Sequence, residues 1–214
     1  MKMHQALVFM GPQGSGKGTQ ATSLAKKYGY QVIATGDLFR AEANKGTELG
    51  RKIGQLIEAG TLVPDKLTVE LLQQTLQRMP AEAIIIFDGF PRNSAQATIL
   101  DTLVRVTRAV NITLPSDVSI KRIAGRLMCP NGHTYNTYFV PPQRQGLCDV
   151  DDLPLHSRKD DTEDAVTRRL ALYQKMTTPV LDFYREQNKL VIINGDASVD
   201  EVFRDIEKHV ISVL

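Results

Sequence analysis

A lysine set inside a glycine-rich run is the first chemical signal in the chain. Gly11-Pro12-Gln13-Gly14-Ser15-Gly16-Lys17-Gly18-Thr19 follows the apolar segment 6–10 and opens a helical stretch. In that strand–turn–helix context the glycines let backbone N–H groups turn inward around phosphate oxygens. The helix N-terminus adds the positive end of its dipole. Lys17 is spaced to reach β- and γ-phosphates. The strict pattern has Ser or Thr directly after the lysine; here Gly18 intervenes before Thr19. A plain glycine-rich turn with a surface lysine is the competing reading, and the full spacing argues against it.

Asp88-Gly89-Phe90-Pro91-Arg92 ends the most apolar segment, 84–88. A carboxylate at the carboxyl end of a buried strand lies where α/β sheets bind ligands, and Asp88 suits a magnesium ion held through water. An aspartate that merely starts a turn before Gly89 is the competing reading, and the setting at the end of a buried strand argues against it. Arginines are the third signal. Arg122 and Arg126 are four apart and, on a helix, share one face. Arg158 and Arg169 flank Lys159-Asp160-Asp161. Guanidinium groups suit the charge that phosphoryl transfer spreads over the moving group. Arg168 reads as a solvated charge. The fourth signal is Cys129-x3-His133 followed by Cys148-x2-Asp151, two short ligand pairs that suit a structural zinc site. A hydrogen-bonded cluster without metal is the alternative there.

The elements that must position these groups alternate. Strands are expected at 6–10, 31–34, 84–88, 109–114 and 190–193, and helices at 16–28, 95–104, 117–127 and 162–187, the last disturbed near Pro179. Segment 37–77 is helical in pieces, broken at Gly46, Gly60 and Pro64. Ser198-Val199-Asp200-Glu201 has capping-box spacing and opens a final helix. Such alternation implies a parallel sheet covered on both faces. Regions 34–63 and 128–157 break it and read as insertions above the sheet. The second holds both cysteines and four of the ten prolines, with a short antiparallel strand at 135–140.

Composition narrows the function classes. With 214 residues, 42% hydrophobic and 23% charged, the chain suits one core with inserted subdomains. A net charge of +2 argues against a dedicated nucleic-acid or membrane-surface binder. No apolar run approaches the ~18–20 residues that cross a bilayer. The apolar stretch near the start is too short for a signal peptide. Two cysteines make no disulfide framework, so a reducing, cytoplasmic setting is expected.

These motifs together resemble the bacterial-type, long-lid adenylate kinases over essentially the full chain. The phosphate loop, Thr35-Gly36-Asp37, the Asp88–Arg92 motif and Arg158-Lys159-Asp160-Asp161 stand in that family's order. The resemblance implies a P-loop nucleoside monophosphate kinase fold: a parallel five-stranded α/β core (1–33, 64–124 and 162–214), a helical monophosphate-binding insert (34–63) and a small β lid (125–161). It implies transfer from MgATP to AMP giving two ADP, by a monomer. For ATP it implies Gly14, Ser15, Gly16, Lys17, Gly18, Thr19, Arg122 and Arg126, with Thr134, Tyr135 and the backbone of Ala197 near the adenine. For AMP it implies Thr35, Arg40, Thr61, Leu62, Val63, Gly89, Phe90, Pro91, Arg92 and Gln96. Arg158 and Arg169 match the pair that clamps the phosphates between the nucleotides. Lys17, Asp88, Arg126, Arg158 and Arg169 are thereby the catalytic set.

The sequence departs from the family pattern at Gln13, where proline is frequent, and in the lid, where His133 and Asp151 replace common cysteines. A UMP/CMP kinase shares the loop and the arginines, but its lid is usually short. A nucleotide-binding zinc module without turnover is the non-enzyme alternative. A GTPase lacks support, since Asn188-Lys189-Leu190-Val191 has no guanine-reading aspartate.

Overall fold

Alternation along the first apolar run sends its side chains to two different cores. In the computed structural model, which describes residues 3–158, 161 and 163–211, strand β1 (Gln5–Met10) points Ala6, Val8 and Met10 one way and Leu7 and Phe9 the other. A strand buried on both faces belongs inside a parallel sheet. The chain continues through α1 (Lys17–Tyr28), β2 (Gln31–Ala34), α2 (Thr35–Ala43), α3 (Glu48–Glu58), α4 (Asp65–Leu76), β3 (Ile85–Asp88), α5 (Ser94–Leu103) and β4 (Arg105–Thr113). Then come α6 (Ser116–Ala124), β5 (Arg126–Met128), β6 (Thr134–Asn136), α7 (Glu163–Leu172), a π-helical turn (Tyr173–Thr177), α8 (Thr178–Glu186), β7 (Leu190–Asn194) and α9 (Val199–Val210).

Five strands form one sheet in the order β2-β3-β1-β4-β7, every pairing parallel. Leu72, Leu100 and Tyr184, from α4, α5 and α8, cover one face. Leu24 and Ile206, from α1 and α9, cover the other. The expected α/β class is the one the chain adopts. Because β1 lies between β3 and β4, the crevice at their carboxyl ends is the natural ligand position. Register sharpens this: Phe9 pairs with Asp88, so the phosphate loop and the Asp88 motif leave the sheet side by side.

Two excursions stand outside the alternation. Phe39, Ile53 and Val63 make a small core between α2 and α3. Between α6 and α7, β5 and β6 form an antiparallel pair, with further bridges Met128–His156 and Leu147–Pro154. Its core is Cys129, Tyr135 and Cys148, packed by Leu127, Leu153 and Leu155.

Three expectations need correction. The helix expected over 117–127 ends at Ala124, so Arg126 is on β5 and shares no helix face with Arg122. The cause is the returning hairpin. The Thr137 amide donates to the Gly125 carbonyl at 2.8 Å, and a Cβ on Gly125 would stand 2.6 Å from Thr137 Oγ1. Strand β4 starts at Arg105, four residues before the expected 109, because a register shift beside Ala6 skips Thr107 and breaks the apolar alternation. The strand expected over 135–140 is only Thr134–Asn136, with a lone bridge to Val140. The disturbance near Pro179 is the π-helical turn before it, where the Thr178 amide donates to the Tyr173 carbonyl. A proline has no N–H for the carbonyl four residues back and crowds it, so a widened turn relieves the contact. Lys159, Asp160 and the expected helix start Thr162 lie outside the described residues.

Candidate active site

The phosphate loop is shaped for an anion it can surround. Gly14 has φ 78°, a left-handed conformation that favours glycine, and a Cβ there would meet the Ser119 carbonyl oxygen at 2.9 Å. Lys17 Nζ donates to the Gly11 and Pro12 carbonyls, each at 2.8 Å, and lies 3.5 Å from Ser15 Oγ. Ser15 is buried, Gly16 precedes the first turn of α1, and Gly18 and Thr19 are exposed. The Asp88 carboxylate sits at this mouth, 3.2 Å from where a Cβ on Gly18 would stand. Burial lowers the Lys17 pKa to about 8, against the opposing pull of Asp88; Arg92 and Arg126 lower it further. Burial likewise pushes Asp88 up, and Lys17 opposes that.

Arginines from four different segments converge on this mouth. Arg126 makes a two-pronged ion pair with Asp161, through Nε at 2.7 Å and through Nη2. Arg169 Nη1 is 3.9 Å from the same carboxylate. Arg158 is depressed to about 10, first by burial and then by the charges of Arg126 and Arg40. Arg92 is lowered by burial and by Arg169 and Arg40, while Asp88 opposes. Each cation is thus held within the field of other cations. Such repulsion is tolerable where an anion is to be bound.

Arg122 has a different task. Its Nη1 donates to the Gly195 carbonyl at 3.0 Å, its Nη2 is 3.9 Å from Asp196, and Phe139 lies over the guanidinium at 5.2 Å. It therefore fixes the turn that leads to Ala197. Thr134 is exposed, whereas the Tyr135 ring is buried in the hairpin core. Its hydroxyl accepts from the Asp149 amide at 2.8 Å and lies 3.4 Å from Cys148 Sγ. Any contact of Tyr135 with a base therefore falls to its backbone.

A pocket opens beside the Asp88 motif. Thr35, Phe39, Leu62, Val63, Thr68, Gly89, Phe90, Arg92 and Gln96 line it. Thr35 Oγ1 donates to the Gly89 carbonyl at 3.0 Å, as does Arg92 Nε at 2.8 Å. Gln96 is buried and doubly engaged: Oε1 accepts from the Arg92 amide and Nε2 donates to Asp65 Oδ1, each at 2.7 Å. Pro91 is buried. Arg40 folds back to Asp37 at 2.5 Å, and Thr61 Oγ1 donates to the Leu56 carbonyl at 3.1 Å, so neither lines the pocket. Sequence reasoning missed Asp65, Asp161 and Phe139. Only Asp161 stood in a motif. Arg168 is exposed, as expected of a solvated charge, and its Nε donates to the Ala59 carbonyl at 2.9 Å just beyond α3.

In the hairpin insert the four expected ligands do converge. The ligand atoms of Cys129, His133, Cys148 and Asp151 all lie within 4.8 Å of one another. His133 Nδ1 is 3.2 Å from Cys129 Sγ, 3.4 Å from Cys148 Sγ and 3.2 Å from Asp151 Oδ2. Zinc bonds of about 2.0–2.3 Å place the donors of a tetrahedron about 3.3–3.8 Å apart, so this donor set fits zinc.

A parallel sheet with a glycine-rich loop after its central strand, a loop lysine, a facing carboxylate and converging arginines defines a P-loop phosphotransferase. The model of the adenylate kinase family matches residues 9–189. An adenylate kinase of Borrelia turicatae is 41% identical, with 97% of this chain and 98% of that protein covered. Those of Clostridioides difficile and Streptomyces coelicolor are 39% and 40% identical, covering 94% and 92% of this chain and 95% and 94% of their own. The chain belongs to the adenylate kinase family. It is a nucleoside monophosphate kinase that transfers a phosphoryl group reversibly between MgATP and AMP, giving two ADP. ATP, AMP and ADP are its ligands. Among the described residues no helix is long and apolar enough to cross a membrane.

The buried lysine sets a pH prediction. Lys17 titrates at about 8 in the fold and at 10.5 in the unfolded chain. Between those values the unfolded chain binds more protons, so wild-type stability should rise with pH relative to Lys17→Met. Denaturant unfolding of both proteins at several pH values checks this. A difference that is flat or falls with pH contradicts it. The variant should stay folded and lose turnover by about 10²-fold or more.

Proposed function

We propose that the phosphate loop and the pocket beside the Asp88 motif divide the nucleotides between them. Gly14–Thr19 would hold the ATP phosphates, with Lys17 on the transferring group and Asp88 facing the magnesium that ATP brings. Arg122 and the Ala197 turn would border the adenine, with the backbone at Thr134 and Tyr135. The pocket of Thr35, Leu62, Val63, Gly89, Phe90, Arg92 and Gln96 would take AMP, with Arg40 and Thr61 at its edge. Arg126, Arg158 and Arg169 would surround the phosphates where they meet. The observation that carries this reading is the gathering of arginines between the phosphate loop and the pocket beside the Asp88 motif, where Arg158 and Arg92 are lowered by burial and then by the charge of neighbouring arginines. In this reading 34–63 is the monophosphate-binding insert, 125–161 the lid, and 1–33, 64–124 and 162–214 the core.

The chemistry then needs no protein nucleophile. An AMP phosphate oxygen attacks the γ-phosphorus, and the bond from that phosphorus to the β,γ-bridging oxygen breaks. ADP leaves, and AMP has become ADP. Lys17 and the arginines meet charge on the moving group, and positioning supplies the rest. In the structure Lys17 Nζ is held by loop carbonyls. A phosphate oxygen offers it a charged acceptor instead. In this reading the two inserts would cover the crevice and exclude water, which would otherwise take the phosphoryl group.

The insert over 125–161 carries a further reading. Cys129, His133, Cys148 and Asp151 would hold a structural zinc ion that staples a segment too small for a substantial core of its own. No step of the transfer passes through it. The two free cysteines favour a reducing, cytoplasmic site of action.

Two outcomes test these assignments. Gln96→Leu should raise the KM for AMP about tenfold and narrow its preference over UMP and CMP, because a site built on polar contacts loses them. The KM for MgATP should hold within about twofold. An unchanged substrate ranking removes Gln96 from base recognition. Elemental analysis of purified protein should find about one zinc per chain, and Cys148→Ala should lose it and melt at least about 5 °C lower. Zinc below about 0.1 per chain, with none taken up on reconstitution, leaves only a hydrogen-bonded cluster.

A further inference from the structure

The π-helical turn touches the site through groups the transfer chemistry does not use. Thr177 is buried, and its Oγ1 donates to the Arg92 carbonyl at 3.1 Å. Arg92 lies between β3 and α5, outside any regular element. Both of its main-chain polar groups are therefore held by side chains: the amide by Gln96 Oε1 and the carbonyl by Thr177. One turn back, the Tyr173 hydroxyl donates to Asn111 Oδ1 at 3.0 Å. Asn111 is buried on β4, opposite Met10, the last residue before the phosphate loop. Arg169 is on the same rod, in the last turn of α7.

The widened turn changes which residues share a face of the rod. Residues 169 and 177 are eight apart, about 80° out of line on a regular helix of 3.6 residues per turn. A bond from residue 178 back to residue 173 encloses one more residue in that turn and slows the angular advance. The widening swings Thr177 back toward the face that carries Arg169. A single rod thus presents Arg169 and grips Arg92, while Tyr173 pins it to the sheet beside the phosphate loop.

We propose that Thr177 is a positioning residue: from the π-helical turn it sets the Arg92 main chain, and so aims the Arg92 guanidinium at the monophosphate opposite Arg169. The proposal rests on the assignment of Arg92 to the AMP phosphate. Without the hydroxyl the Arg92 carbonyl loses a buried donor, and the segment before α5 is free to shift. A small shift there misplaces the acceptor phosphate, which transfer tolerates poorly.

The test compares Thr177→Val, which keeps the shape without the donor, with Thr177→Ser, which keeps the donor. Each is made alone and with Arg92→Ala, with KM for AMP, KM for MgATP and kcat read throughout. Thr177→Val should raise the KM for AMP about five- to tenfold, the size expected for one buried hydrogen bond, with KM for MgATP within about twofold. Thr177→Ser should restore wild-type values. On the Arg92→Ala background Thr177→Val should add less than about twofold, because what it positions is gone. If Thr177→Val raises both KM values alike, or costs the same on either background, Thr177 is merely structural and the proposal falls. If Arg92→Ala itself leaves the KM for AMP unchanged, the assignment of Arg92 falls, and the proposal with it. A strong Arg92→Ala effect beside a silent Thr177→Val overturns the positioning role alone.

Discussion

Mutual repulsion among half-buried cations is the constraint on which the rest of this structure turns. Lys17, Arg92 and Arg158 are each pulled below their ordinary pKa by burial, and each feels further positive charge nearby. Asp88 and Asp161 offset only part of it. A fold left to optimise its own stability would spread these side chains into solvent. Holding them together costs stability, and a polyphosphate repays it on binding.

The architecture is what enforces that crowding. Parallel pairing of β1 with β3 places the phosphate loop and the Asp88 motif at one edge, so Lys17 and Arg92 start from neighbouring strands. The crossovers then bring the other cations from a distance in sequence: Arg126 opens the hairpin insert, and Arg169 is in the last turn of α7. Arg169 also donates to the Ile57 carbonyl at 3.3 Å, which ties α7 to α3. Arg168 repeats the tie at Ala59. The placement of Arg169 and a tie to the 34–63 segment thus come from one helix.

Much of this was legible before any coordinates. The apolar run of β1, the glycine spacing and the capping box at Ser198 are local signals, and each appears where expected. Convergence of Cys129, His133, Cys148 and Asp151 was legible because ligand residue types are scarce in the chain. What failed depended on distant partners. The end of α6 is set by a hairpin returning to Gly125, and the start of β4 by a register shift against β1. Thr177 carries no motif at all. Its meaning comes from a carbonyl 85 positions away. A bond between residues so far apart leaves no mark in local spacing.

The most direct test of the crowding is the thermal unfolding of Arg158→Met beside wild type, each with and without MgADP. Removing a repelled, half-buried charge should leave the nucleotide-free melting temperature equal or raised, while the stabilisation that MgADP gives should shrink sharply. A variant that melts well below wild type without nucleotide, yet gains as much from MgADP, would contradict the account. Arg158 would then be holding the fold together, and the cations would not be gathered for phosphate.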